Sequence, residues 1–194
     1  MISSLATFAV AAALTTQGFY PIAEDRGVKV YRKDAKGIEL GAEGDIAAPP
    51  DKVLAVLTDY QNHTKWVKGL SESKVISRED HALDVYQRLD LPVLDDRDFT
   101  LHATWGSTDD GGKWLKFATA NDKGPPPVSG VVRVQTHDGA WTLTPIDGGK
   151  ATHAVYHFHL DLAGSLPGWM GKGRASKEVP NLFENIRRQV QYYK

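Results

Sequence analysis

The end of the chain limits what it can fold into more than any other stretch. Ala175, Val179, Leu182, Phe183, Ile186 and Val190 recur at offsets that put all six along one side of a helix. Such a stripe has to be buried. What precedes it is a succession of alternating strands, so its natural partner is a curved antiparallel sheet wrapped around the long C-terminal helix, an α+β arrangement. A helix held in a bent sheet can leave a hollow, and hollows of that kind take small apolar molecules.

The length of 194 residues suits one domain with room for a substantial core. With 23 basic and 24 acidic residues the net charge is -1, which removes the electrostatic footprint of a nucleic-acid binder. The chain has no cysteine, so disulfides, thiolate nucleophiles and cysteine metal sites are excluded. Leu5 to Leu14 is apolar or small apart from Thr7, too short to span a bilayer. The segment 1–18 therefore reads as an export signal, with a small-x-small pattern at Ala11-Ala12-Ala13, or as a helix docked on the domain. No Lys or Arg precedes Leu5, as a signal would normally require. The signal reading implies a periplasmic or secreted protein, the docked helix a cytoplasmic one. Residues 19–194 form the domain.

Within that domain, Val28 to Lys33 and Ile38 to Ile46 read as a hairpin around Asp34-Ala35-Lys36-Gly37. Ala47-Ala48-Pro49-Pro50-Asp51 ends the second strand and opens a helix whose buried side is Val53, Val56, Leu57 and Tyr60. Leu83, Val85, Gln87, Leu89 and Leu91 share one strand face; Phe99, Leu101, Ala103 and Trp105 share another. Further strands are expected at Trp114 to Thr119, Val131 to Thr136, Ala140 to Thr144 and Thr152 to Leu162. The sequences Asp110-Gly111-Gly112, Asp138-Gly139 and Asp147-Gly148-Gly149 signal tight turns between antiparallel strands.

This order of elements resembles the START lipid-transfer domains of the helix-grip superfamily. Gly27-Val28-Lys29-Val30-Tyr31 is similar to the family's opening strand, and Val53 to Trp66 to its first helix and following tryptophan. Asp96-Arg97-Asp98-Phe99 is similar to its Arg-Asp-aromatic stretch, and Leu166-Pro167-Gly168-Trp169 to the lead-in of its terminal helix. The likeness runs from about Phe19 to the C-terminus. It implies a helix-grip fold and a non-catalytic monomer that carries a lipid or other hydrophobic molecule and touches membranes transiently. The superfamily also implies a rival, a cyclase or aromatase using pocket acids, His or Tyr for proton transfer.

If the sheet wraps the helix, Val85, Gln87, Leu89, Phe99, Leu101, Trp141, Leu143, Tyr156 and Phe158 point inward and Phe183 and Ile186 face them. Each serves equally as core or as ligand wall. Gln87 needs a hydrogen-bond partner once buried, from protein, water or a ligand. Arg97 shares parity with Phe99; an ion pair with Asp95, Asp96 or Asp98 is the first expectation, an anionic head group the second. Leu166, Trp169 and Met170 among glycines are either a lid or side chains packed at the start of the final helix; for the Gly124-Pro125-Pro126-Pro127 loop a stiff connector is the first expectation and a lid the second. Pro180 either kinks a helix that begins near Pro167 or sits in the first turn of one beginning just before it. His153, His157 and His159 share a strand face, with His102 on another; a solvated face is expected there rather than a metal site. No cofactor is expected. Tyr86, Tyr156 and the histidines are the residues a catalytic reading would use.

Overall fold

A computed structural model of the chain describes residues 14, 15, 17–92, 94–163 and 175–193. The export-signal reading therefore falls mostly outside the described residues, as does the lid candidate around Leu166, Trp169 and Met170. The elements run β1 (Tyr20–Asp25), β2 (Val28–Arg32), β3 (Ile38–Ile46), α1 (Pro50–Thr58), β4 (Leu70–Arg78), β5 (Ala82–Leu89), β6 (Asp96–Ser107), β7 (Lys113–Thr119), β8 (Val131–Arg133), β9 (Thr136–Ile146), β10 (Ala151–Asp161) and α2 (Ala175–Gln189). The strands form one sheet in the order β1-β2-β3-β10-β9-β7-β6-β5-β4, with β8 attached to β6. Because the crossovers bring β3 beside β10, the N- and C-terminal halves are knitted together through the middle of the sheet.

Local chemistry accounts for most of these boundaries. Pro50 opens α1, where its missing amide costs nothing, and Asp51 lies in the first turn beside the positive end of the helix dipole. Val53, Val56 and Leu57 turn inward, as their spacing requires. Arg26 and Gly27, both with positive φ, form the two-residue turn that joins β1 to β2. Helix α2 buries Val179, Phe183 and Ile186, and Val190 continues the stripe in a final 3-10 turn. Pro180 lies inside α2, five residues after its first described position, so the alternative in which the helix starts at the proline is corrected.

The concave face packs against α1 and α2. Small residues decide how closely: a Cβ on Gly44 of β3 would stand 3.3 Å from Phe183, so glycine there lets the helix settle onto that end of the sheet. Arg187 then clamps the helix, donating from Nη2 (2.8 Å) and Nε (3.0 Å) to the Asp45 carbonyl and from Nη1 to that of Arg26 (2.8 Å). On the convex face a smaller apolar cluster gathers Leu14, Phe19, Tyr31 and Val155.

One expected turn needs correction. Asp138-Gly139 is not a turn; both residues lie inside β9, opposite His159 and Phe158 of β10. A Cβ on Gly139 would meet the His157 carbonyl and the Phe117 ring at 2.5 Å, so the glycine serves close approach rather than reversal. The sheet is antiparallel as expected, except that the short β8 pairs with β6 in parallel. The Gly124-Pro125-Pro126-Pro127 loop is no lid: Gly124 lies against the Thr100 side chain, which alternates with inward Phe99 and Leu101 and so faces the convex side.

Candidate binding cavity

Toward one end of the trough the core is not filled. A cavity of about 540 Å³ lies between the sheet and the helices. The sheet contributes Gln87 and Leu89 from β5, Phe99 and Leu101 from β6, Phe117 from β7, His137 and Trp141 from β9, and Tyr156, Phe158 and Leu160 from β10. Across from them stand Leu57 of α1, Tyr60 and His63 of the 3-10 turn that follows it, Trp66, and Val179 and Leu182 of α2.

Strand alternation aims the sheet residues, and ring packing holds them. Trp141 and Tyr156, directly opposite across the β9–β10 ladder, stack at 4.2 Å and 12°. His137 stands edge-on to Phe99 at 4.7 Å and to Phe117 at 5.2 Å. On the other wall His63 packs 4.6 Å from Tyr60 and 4.7 Å from Trp66. Arrangements of this kind are the ones aromatic quadrupoles favour, so the walls are flat and rigid.

The histidines and tyrosines of this lining are held uncharged. Burial lowers both His63 and His137 to a pKa of about 4, so each ring is neutral at ordinary pH. His63 donates from Nε2 to the Val56 carbonyl at 3.3 Å. Burial likewise pushes the phenols of Tyr60 and Tyr156 well above their usual range. The Gln87 amide donates to Ser73 Oγ at 3.0 Å, the protein partner that its position demanded. Among the described residues charge gathers at the mouth, where Lys68 lies 3.6 Å from Glu178 of α2 and the exposed Asp90 also joins the lining. Beside that pair Asn185 donates to the Trp66 carbonyl at 2.7 Å, tying helix to loop.

Of the residues expected to line a ligand site, Gln87, Leu89, Phe99, Leu101, Trp141, Tyr156 and Phe158 surround this cavity. Val85, Leu143, Phe183 and Ile186 do not; they are 0% exposed and belong to the solid part of the core, where Gly44 admits α2. Arg97 is corrected on both counts. It is buried, yet neither lines the cavity nor joins an aspartate carboxylate: its guanidinium donates to the backbone carbonyls of Asp95 and Leu162. Asp98 pairs instead with Arg133 at 2.6 Å, and Asp96 with Arg88. Tyr86, on the convex side, donates to Asp98 at 3.1 Å.

Sequence reasoning missed His63, Phe117, His137 and Leu160 as wall residues, and placed Tyr60 only in the core. For His137 the misleading signal was Asp138-Gly139, which placed it in a turn. The histidine face also differs from expectation, because His153 is 4% exposed rather than solvated. It lies 2.7 Å from Asp45 and 3.7 Å from the buried Glu43, which in turn accepts from Tyr31 at 2.7 Å. Glu43 raises the affinity of His153 for its proton.

A bent sheet gripping a terminal helix around an apolar chamber defines the helix-grip class of ligand-binding folds. A family model described as polyketide cyclase / dehydrase and lipid transport matches residues 46–187, and the chain belongs to that family. A search of curated protein sequences finds no match. Among solved structures, the chain is similar to a STAR-related lipid transfer protein from Xanthomonas axonopodis, with a TM-score of 0.81 and 23% identity over 90% of this chain and 99% of that one. Human STARD10 matches with a TM-score of 0.80 and 18% identity over 100% of this chain and 82% of the other. The Zhui aromatase/cyclase of a Streptomyces species matches less closely, with a TM-score of 0.54 and 14% identity over 79% and 93%. At these identities the likenesses establish the START-type helix-grip fold.

Proposed function

We propose that the protein binds a lipid or comparable hydrophobic molecule in this cavity and carries it, without transforming it. The observation that carries the reading is the chamber itself: about 540 Å³, within the range that holds one drug-sized molecule, walled by aromatic and aliphatic side chains. Burial of ligand surface against such walls is worth roughly 25 cal/mol per Å², and this term supplies the affinity. Proton chemistry finds little support. A general acid or base works best with a pKa near the operating pH, whereas burial holds His63 and His137 near 4 and raises both phenols.

Mass spectrometry of organic extracts from the protein purified without detergent tests the reading. A hydrophobic compound recovered near one equivalent supports it; an empty protein that also fails to take up a fluorescent hydrophobic dye would refute it. Conversion of a cyclisable polyketide mimic, abolished by Tyr156→Phe, would favour the enzymatic alternative.

A further inference from the structure

Most polar groups around the cavity are already committed. The Gln87 amide is bonded to Ser73, His63 to a carbonyl of α1, Asn185 to the Trp66 carbonyl, and Arg97 faces two backbone carbonyls away from the chamber. The exceptions among the described residues are the Trp66 indole Nε1 and His137 Nδ1, buried without a partner, and two phenols. Tyr60, from the helical wall, and Tyr156, from the sheet wall, are 5% and 8% exposed and both line the cavity. Neither hydroxyl has a hydrogen-bond partner among the described residues. They face the chamber from opposite walls.

A buried hydroxyl without a partner costs about 1–3 kcal/mol, so these phenols call for an oxygen inside the chamber. A bound water can occupy that place in the empty protein, and a ligand oxygen can take it over. The same surroundings exclude charge. Among the described residues the inner wall holds no ammonium, guanidinium or imidazolium to compensate an anion, and the mouth cation Lys68 is already opposite Glu178. Stripping a carboxylate of water there costs far more than stripping an alcohol.

We infer that the cavity selects an uncharged hydrophobic molecule bearing a hydroxyl or carbonyl oxygen, which the phenols of Tyr60 and Tyr156 hold from opposite walls. This rests on the cavity being the ligand site, and the two claims fail separately. Three fluorescent probes share a flat ring suited to the aromatic walls and differ only at the chain end: pyrenebutanol, pyrenebutyrate and butylpyrene. Titrated into the full chain at neutral pH, pyrenebutanol should bind about tenfold more tightly than pyrenebutyrate. Tyr60→Phe and Tyr156→Phe should each weaken pyrenebutanol about fivefold and leave butylpyrene unchanged.

Binding of pyrenebutyrate as tight as that of the alcohol would overturn the inference. So would tyrosine variants in which the alcohol keeps its advantage over butylpyrene. If butylpyrene and pyrenebutanol both fail to bind, the cavity is not a ligand site and both claims fall. The alcohol-to-acid ratio in the unaltered protein decides the matter even where a variant folds poorly.

Discussion

Gly139 shows how much a single missing side chain can settle. It sits mid-strand where the His157 carbonyl, the Phe117 ring and Phe158 press on one point, two of them 2.5 Å from where a Cβ would stand. Replacing it with valine forces β9 away from β10 or drives Phe117 into the cavity. Overpacking of this sort costs about 1–3 kcal/mol, so Gly139→Val should lower the urea midpoint, read by tryptophan fluorescence. The neighbouring His137 and Asp138 owe their places to the same fact. Asp138 accepts from the Thr119 amide at 3.0 Å, bridging strands rather than closing a turn. An Asp-Gly pair is a good turn signal only where the backbone reverses, and nothing local in the sequence distinguishes reversal from close strand approach. Gln87 was legible for the opposite reason: an amide in an apolar row needs a partner in almost any fold, and Ser73 on the adjacent strand supplies it.

Among the elements, those that bury a face were readable and those at the rims were not. Strands β3, β5, β6 and β10 carry inward apolar residues at period two, and α1 and α2 carry their stripes. The unforeseen strands β1 and β4 are the two ends of the sheet order, where one side of the ladder lacks a partner. All six residues of β1 are exposed, and most of β4 is. An edge strand need not bury a face, so β1 (Tyr-Pro-Ile-Ala-Glu-Asp) and β4 mix exposed polar and apolar residues and carry little periodic signal. The short β8 was expected, but not its parallel pairing, which is fixed at long range by Arg133 on Asp98. Two element-scale predictions follow from the ties on α2. Arg187→Met removes the donors to the Asp45 and Arg26 carbonyls and should cost about 1 kcal/mol, a fall in thermal midpoint of about 2–4 °C by calorimetry. Asn185→Ala cuts the bond between α2 and the Trp66 carbonyl at the cavity mouth. Stopped-flow displacement of pyrenebutanol should then show dissociation accelerated about fivefold, from loss of one hydrogen bond worth about 1 kcal/mol.

For the molecule as a whole, the buried histidines couple stability to pH in two opposing directions. His63 and His137 bind a proton near pH 4 when folded and near 6.5 when unfolded, so the unfolded chain takes up protons first as pH falls. Stability should be complete above about pH 6.5 and decline toward pH 4, by about 1.4 kcal/mol per pH unit for each histidine at the steepest. His153 acts oppositely: Glu43 and Asp45 raise its affinity, so its contribution is full below about pH 6.5 and is lost as pH rises through its folded value. Urea midpoints measured from pH 4 to 8 should therefore climb steeply on the acid side, and His137→Phe should flatten that climb.

The sheet that encloses the chamber never closes on itself, for β1 and β4 end its order without meeting. In a barrel, strand number and stagger dictate the radius. A trough is under no such rule: slight changes of twist from strand to strand, repeated across the sheet, can flatten or tighten it while every ladder stays intact. On the proposed function, guests of unequal bulk can thus share one set of backbone hydrogen bonds, and the size a guest can reach becomes a property of the unjoined rim rather than of any single wall residue.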